Sequence, residues 1–523
     1  MKQKVNRLAG KGIIPSMRTH LFFRQQRLRR LFRILAFPLL LSFIVQPVAH
    51  AQYSNLPTLG DTARGELSPL MEYKIGVEIM RRIQMDPDYI EDEVISEYLN
   101  NVGNKLVNAT PDVRGETGND FHFFALRDQT LNAFALPGGF IGVHTGLLLA
   151  AQSESELASV LSHEIGHVSQ RHIARMIGNQ KQDMLIPIAA LVLAAIAGAA
   201  KQTDAAGALV IGGQGLAVQK QLNFSRDAER EADRVGFLIL KNAGFDTNGM
   251  VLFFERLQRA SRHYGEGFSA YLRTHPLTSE RIADVEGRVR SESYRQHADS
   301  PDFYYVRIRA ELIQDESAKG TETAVANFQE MIKTGGRLLA SAGYYGQALL
   351  ALRQNDTMKA ASLLQEAKKL AGDKAAQASL ALTSTSIDIK IAARQPAEAA
   401  KEALTALSRF PASRALSHRY ASALYHAGNY DSAVQYLRKQ AQLYRSDPMV
   451  HGMLAKVYGS QGKIALMHIE LAESYSLSGG VSAALEQLSL ARQAPDVTFY
   501  DHSIIDAKER EWQARRLEEM QEK

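Results

Sequence analysis

Ser162-His163-Glu164-Ile165-Gly166-His167 is the stretch from which the rest of the chain is read. His163 and His167 are four residues apart, so a helix sets them about 40° apart on one face. Two imidazoles in that relation reach a single ion. Glu164 is offset by about one residue's rotation, placed for a water on that ion rather than for tight ligation. Upstream, Ser153-x-x-Glu156 is a capping box, and Leu157, Val160 and Leu161 follow at helical spacing. The pattern predicts a helix from about Glu154 to Met176. Leu157, Val160, Leu161 and Ile165 form an apolar stripe that would bury it. That setting separates the motif from a surface helix carrying two solvated histidines.

Zinc catalysis needs a third protein ligand and an open fourth position. His172 is five residues after His167, which on one continuous helix points it about 140° away. A third histidine six residues beyond the second, past a glycine, is absent. Residues 225–233, Ser-Arg-Asp-Ala-Glu-Arg-Glu-Ala-Asp, place Glu229 and Asp233 on one helical face. One can ligate while the other accepts the far N–H of a ligand histidine. Read alone, such a run is more readily a solvated charged helix. The chain has no cysteine, which excludes a disulfide scaffold, a thiol protease, a cysteine zinc site and an iron–sulfur centre.

The formal charge is +5, but residues 1–51 hold ten Lys/Arg and no Asp/Glu. Without them the balance is 51 basic against 56 acidic residues, or −5, so no nucleic-acid footprint follows from the charge. Arg24, Arg27, Arg29, Arg30 and Arg33 precede an apolar run from Ile34 to Val45, and Ala49-His50-Ala51 offers a small-x-small cleavage site. This describes an exported signal peptide at 1–51 and a periplasmic address. The run is short for a membrane span and Pro38 interrupts it. Met17 is an alternative start.

Beyond the leader, residues 53–118 read as helical. Phe121 to Ala125 is a strand candidate, and Leu131 to His144 reads as strand, turn and strand around Pro137-Gly138-Gly139. Met184 to Ala200 is apolar; an Ala-rich buried or surface-lying helix is preferred over a span, and a mobile flap is the alternative. From about residue 303 small residues recur at Ala324, Ala360, Ala399, Ala433 and Ala484, with Phe328, Leu364, Leu437 and Leu488 four positions after. Ala399 to Ala433 and Gly428 to Gly462 are both 34 residues, the period of tetratricopeptide helix pairs.

Asn132-Ala-Phe-Ala-Leu-Pro-Gly-Gly139, then His163-Glu-x-x-His167, then Ser225-Arg-x-x-Glu229-x-x-Ala-Asp233 resemble, in that order, the HtpX-like and CaaX-prenyl-protease-type zinc peptidase family across about residues 70–295. The resemblance implies an α+β, mostly α fold: a gluzincin-like protease domain with a small sheet at 52–300, then a helical tetratricopeptide domain at 301–523. It implies one Zn2+ per chain on His163, His167 and Glu229, with Glu164 as catalytic base and Asp233 behind a ligand. The leader and the repeats are more similar to a periplasmic branch of that family. Thr274-His275-Pro276, with Arg281 after it, matches that branch, where the histidine is a regulatory fourth ligand. Such proteins are implied to be quality-control proteases and chaperone-like factors for outer-membrane β-barrel proteins. The implied partners are unfolded or misassembled outer-membrane proteins and, through the repeats, the β-barrel assembly machinery, with peripheral membrane contact and no nucleic acid. The alternative is a client-binding scaffold whose proteolysis is latched or minor. An extended substrate is expected against an edge strand near Gly138 to His144.

Overall fold

The computed structural model describes residues 67–114, 120–177, 226–264, 270–293 and 295–521. They lie in one compact unit, Thr58–Lys523. The expected leader at 1–51 and the apolar segment at 184–218 fall outside the described residues. No helix among the described residues is long and apolar enough to cross a membrane.

Two helices open the unit, each started by its own side-chain cap. In α1 (Pro69–Gln84) Ser68 accepts from the amide of Met71 and a proline occupies the first turn; in α2 (Glu93–Ala109) Asp92 accepts from Val94 and Ile95. Three short strands follow, β1 (His122–Leu126), β2 (Ala133–Ala135) and β3 (Phe140–His144). Their order is β1-β3-β2, with β1 parallel and β2 antiparallel to β3. The strand that contains the expected substrate edge is therefore the central one, paired on both sides. Sequence patterning gave the strands but not their order, and β2 is the side of the sheet that packs against the H-E-x-x-H helix.

After α3 (Thr145–Ala150), α4 (Glu154–Ser169) carries the motif. Ser153 caps the Glu156 amide at 3.1 Å, and every residue from Glu154 to His167 is buried. The expected helix to Met176 is broken. Gln170 ends α4, Arg171 takes a left-handed φ of 52°, and a second helix, α5 (His172–Ile177), starts from there. A non-glycine residue in that region costs roughly 1–2 kcal/mol. Tertiary contacts hold it: the Arg171 guanidinium donates to Glu72 at 2.8 Å and to the Leu67 carbonyl. Then come α6 (Arg226–Asn242), α7 (Asn248–Tyr264), α8 (Ala270–Thr274) and α9 (Ser279–Ser291).

From residue 301 the chain is helical throughout its described length. The pairs are α10 (Pro301–Gln314) with α11 (Ala318–Thr334), and α12 (Arg337–Arg353) with α13 (Thr357–Ala371). After the short α14 (Asp373–Ala378) come α15 (Leu380–Ala392) with α16 (Pro396–Leu407), and α17 (Arg414–His426) with α18 (Tyr430–Leu443). The array ends with α19 (Pro448–Ser460), α20 (Ile464–Leu477), α21 (Val481–Gln493) and α22 (Phe499–Gln521). Ala324, Ala360, Ala399, Ala433 and Ala484 are all buried, as are Phe328, Leu364, Leu437 and Leu488. Small residues let neighbouring helices approach, and the large residue one turn on fills the layer between them. The interval that departs most from 34 ends on α21, where the phase of the pattern shifts by half a repeat.

The array is bolted to the start of α2. Arg309 of α10 pairs with Asp92 at 2.6 Å, while His418 and Arg419 of α17 both reach Glu93, the latter at 2.9 Å. Ser413 and the Ala415 amide donate to Glu97.

Candidate metal centre

Helices α4 and α6 cross on glycines. A Cβ on Gly166 would sit 2.9 Å from the Ala232 carbonyl oxygen, and one on Gly236 would sit 3.0 Å from the backbone of His163. Only at that spacing can Glu229 and Asp233, one turn apart on α6, lie against the two histidines of α4. Nε2 of His163 and Nε2 of His167 are 3.0 Å apart. Glu229 Oε1 is 3.4 Å from His167 Nε2, and Glu229 Oε2 is 3.5 Å from His163 Nε2. His275, at the end of α8, brings Nδ1 to 3.0 Å from Glu229 Oε1 and 3.4 Å from His163 Nε2. The four side chains are buried, and their donor atoms all fall within 4.8 Å of one another.

These separations fit an ion. Four ligands at about 2.0–2.1 Å from a tetrahedral centre stand about 3.3 Å from each other. The donor chemistry, three imidazoles and a carboxylate, is that of zinc. Glu164 points the same way: it is fully buried, and neither of its carboxylate oxygens has a hydrogen-bond partner. A buried carboxylate left so costs several kcal/mol unless something polar shares its cavity. His275 Nε2 stands 3.7 Å from Glu164 Oε1, beyond hydrogen-bond distance.

Behind the donor atoms lies a second set of contacts. His163 Nδ1 is 2.9 Å from Asp233 Oδ1, close in distance though off the N–H axis. Asp233 in turn accepts twice from Arg281, at 2.6 and 2.7 Å, and Arg281 also reaches Glu229 at 2.8 Å and the Pro276 carbonyl. The His275 loop and two acidic residues of α6, Glu229 and Asp233, are thus tied to one guanidinium. His167 Nδ1 is 2.8 Å from His172 Nδ1. The Tyr271 ring stacks on His275 at 4.5 Å and 25°.

Burial opposes charge throughout, and the partners decide the sign. Burial alone would depress His163, yet Asp233 and Glu229 raise it to about 9. Burial prevails at His167, which falls well below its ordinary value, and at His172, which falls to about 4. Burial works against ionising Glu229, but His275, His163 and His167 hold it well below the usual carboxylate range.

The structure brings together His163, Glu164, His167, Glu229, Asp233 and His275. His172 is not turned away: the break at Arg171 folds it back behind His167. Sequence reading passed over Tyr271, although its place one helical turn before His275 was a usable signal, and over Glu231 and Arg175, for which no local pattern exists.

Residues 96–289 match the model of peptidase family M48, and residues 390–457 match a tetratricopeptide repeat model. A Vibrio cholerae relative, provisionally named a beta-barrel assembly-enhancing protease, is 38% identical over 60% of this chain and 63% of its own length. The beta-barrel assembly-enhancing protease of Escherichia coli K12 is 28% identical over 89% of this chain and 92% of its own. The mitochondrial metalloendopeptidase OMA1 of Schizosaccharomyces pombe is 34% identical over 33% of this chain and 48% of its own. The OMA1 match covers a third of the chain, whereas the Escherichia coli match takes in the repeats as well.

Proposed function

From the premise that this chain is a zinc-dependent metalloendopeptidase with an M48 peptidase domain and tetratricopeptide repeats, we propose that it is a periplasmic quality-control protease. In this reading it degrades misassembled outer-membrane β-barrel proteins and assists the assembly of others. The names of the relatives support the client class, and the exported leader read in residues 1–51 supports the compartment. The protease part is 52–300 and the repeat part 301–523. The repeats choose clients and contact the β-barrel assembly machinery, because stacked helix pairs offer a concave surface for protein partners.

The observation that carries the peptidase reading is the buried convergence of His163, His167 and Glu229 beside Glu164. His163, His167 and Glu229 would hold the ion. Zinc, when bound, acidifies water and acts as a Lewis acid toward a peptide carbonyl. Glu164 takes the proton of the attacking water and delivers it to the leaving amine; its buried, unpartnered oxygens suit it to both transfers. Asp233 fixes the orientation of His163, and Arg281 fixes Asp233. β2, which packs on α4, is the strand against which an extended substrate would lie.

A second reading, a client-binding scaffold with latched proteolysis, is favoured by His275. Its Nδ1 lies 3.4 Å from His163 Nε2 and 3.0 Å from Glu229 Oε1, where it would compete with water for the ion. The two readings combine if the α8–α9 loop opens when a client binds.

The test sets wild type beside Glu164→Gln in the full chain. Zinc content and casein cleavage are measured, and the inactive variant serves as a trap in envelope extract. About one zinc per chain, cleavage only by wild type, and outer-membrane β-barrel proteins held by the trap are expected. A zinc-loaded wild type that cuts nothing would leave the scaffold reading in its place.

A further inference from the structure

We propose that His172 is a positioning residue of the metal centre: with Glu231 and Arg175 it forms a hydrogen-bonded chain that holds His167 with Nε2 turned to the ion. The inference rests on the reading of His167 as a ligand and extends it to residues outside both α4 and the ligand set.

The direction of every proton in the chain is fixed by its two ends. Two ring nitrogens 2.8 Å apart, His167 Nδ1 and His172 Nδ1, form a bond only if one carries hydrogen and the other does not. A metal-binding His167 has a bare Nε2, so its proton sits on Nδ1 and is donated to His172. His172 then accepts at Nδ1 and carries its own proton on Nε2. That nitrogen is 3.1 Å from Glu231 Oε2, a carboxylate oxygen that can only accept. Arg175 Nη2 donates to the same oxygen at 2.8 Å, holding the carboxylate in place. Reversing any link would put a proton on the nitrogen that must meet the ion.

Three separate elements build this arrangement. His167 comes from α4, His172 and Arg175 from α5, and Glu231 from α6. It exists because the chain breaks between α4 and α5. The left-handed Arg171, anchored by Glu72 and the Leu67 carbonyl, turns His172 back over the helix it has just left. Strain of this kind persists where surrounding structure over-determines it. The two histidines of the motif are therefore supported differently. His163 has a carboxylate directly behind it, whereas His167 has a buried imidazole between itself and a mostly buried carboxylate.

The test uses the full chain and reads metal affinity as well as activity. Zinc affinity is measured by chelator competition, and the cobalt(II)-substituted protein gives an absorption spectrum that reports ligand geometry. His172→Phe keeps the ring and removes both bonds; His172→Asn keeps an acceptor where Nδ1 stood. Removing such support typically weakens binding by about 10–100-fold. His172→Phe is expected to fall in that range with an altered cobalt spectrum, and His172→Asn to lie much nearer wild type. The melting temperatures of the metal-free proteins should not follow that order. Wild-type zinc affinity in His172→Phe, or equal losses in both variants that track metal-free melting, would overturn the inference and leave His172 a packing residue. His167→Ala separates this from the parent reading: if it keeps full zinc, the ligand assignment itself is wrong.

Discussion

The crossing of α4 and α6 and the helix pairs beyond residue 301 are both well buried, but they bury opposite chemistry. At the crossing, His163, Glu164, His167, Glu229 and Asp233 are all about fully enclosed. In the repeats, the periodic positions hold Ala324, Ala360, Ala399 and Ala433 with Phe328, Leu364 and Leu437. The first arrangement spends stability, because each enclosed charge needs a partner or an ion. The second gains it, because apolar burial, small-residue spacing and helical propensity all agree. The difference teaches where substitution should show: in turnover with little change in folding at the crossing, and in folding with little change in metal at the array.

The sharpest test of that contrast is Glu164→Gln. The amide keeps size but cannot take a proton, so casein cleavage should fall by about three orders of magnitude or more. Zinc content and thermal melting should stay at wild-type levels. Residual cleavage within tenfold of wild type would remove Glu164 from the base role.

Its counterpart in the array is Leu437→Ala. Leu437 is fully buried in α18 among Leu424, Val450 and Leu454. Truncating such a residue leaves a cavity and costs about 2–5 kcal/mol. Denaturant unfolding should record that loss while zinc stoichiometry is unchanged. A fall in zinc content would show that the two regions are not separable in the way their burial suggests.

A smaller effect, of opposite sign, is expected from His275→Ala. Freeing the fourth position should raise cleavage several-fold, provided His163, His167 and Glu229 suffice to keep the ion. A large loss of cleavage with zinc retained would instead give His275 a part in stabilising the transition state.

The same contrast explains what could be read in advance. His163, Glu164 and His167 are legible because a single helical turn contains their geometry. The repeat positions are legible because each helix pair packs on its sequence neighbours. What escaped depends on contacts distant in sequence. The reversal of His172 rests on Glu72 and Leu67, about a hundred residues upstream. The central place of β3 depends on strand order, which alternation along a strand does not encode. Glu229 and Asp233 are assigned through the family resemblance; taken alone their run reads as a solvated face, because the glycines that bring α6 onto α4 have meaning only when both helices are present.

The joint between the two regions supplies the last prediction, the one that depends on pH. His418 of α17 lies between Glu93 of α2 and Asp447, with Arg414 also on Asp447 and Arg419 on Glu93. Burial disfavours its charge, but Asp447 and Glu93 raise it from 6.5 to about 9. A folded value above the unfolded one means the contribution is complete below pH 6.5 and is lost as pH rises through 9. Asp447 behaves conversely. Burial would raise it, but His418 and Arg414 lower it from 3.8 to about 2, so its contribution is complete above 3.8 and is lost as pH falls through 2. The joint is therefore strongest between about pH 4 and 6.5. Partial exposure of Glu93 limits the alkaline loss from His418 to roughly 1–3 kcal/mol. His418→Gln cannot carry the charge, so its melting temperature should start lower at pH 6 and fall less than wild type between pH 6.5 and 9. Zinc content should not change with the substitution at any pH in that range, because His418 contacts α2 and the array but none of the residues around the ion. Parallel melting curves for the two proteins across the interval would show that the joint holds without a charged imidazole, and that Asp92 with Arg309 carries the docking instead.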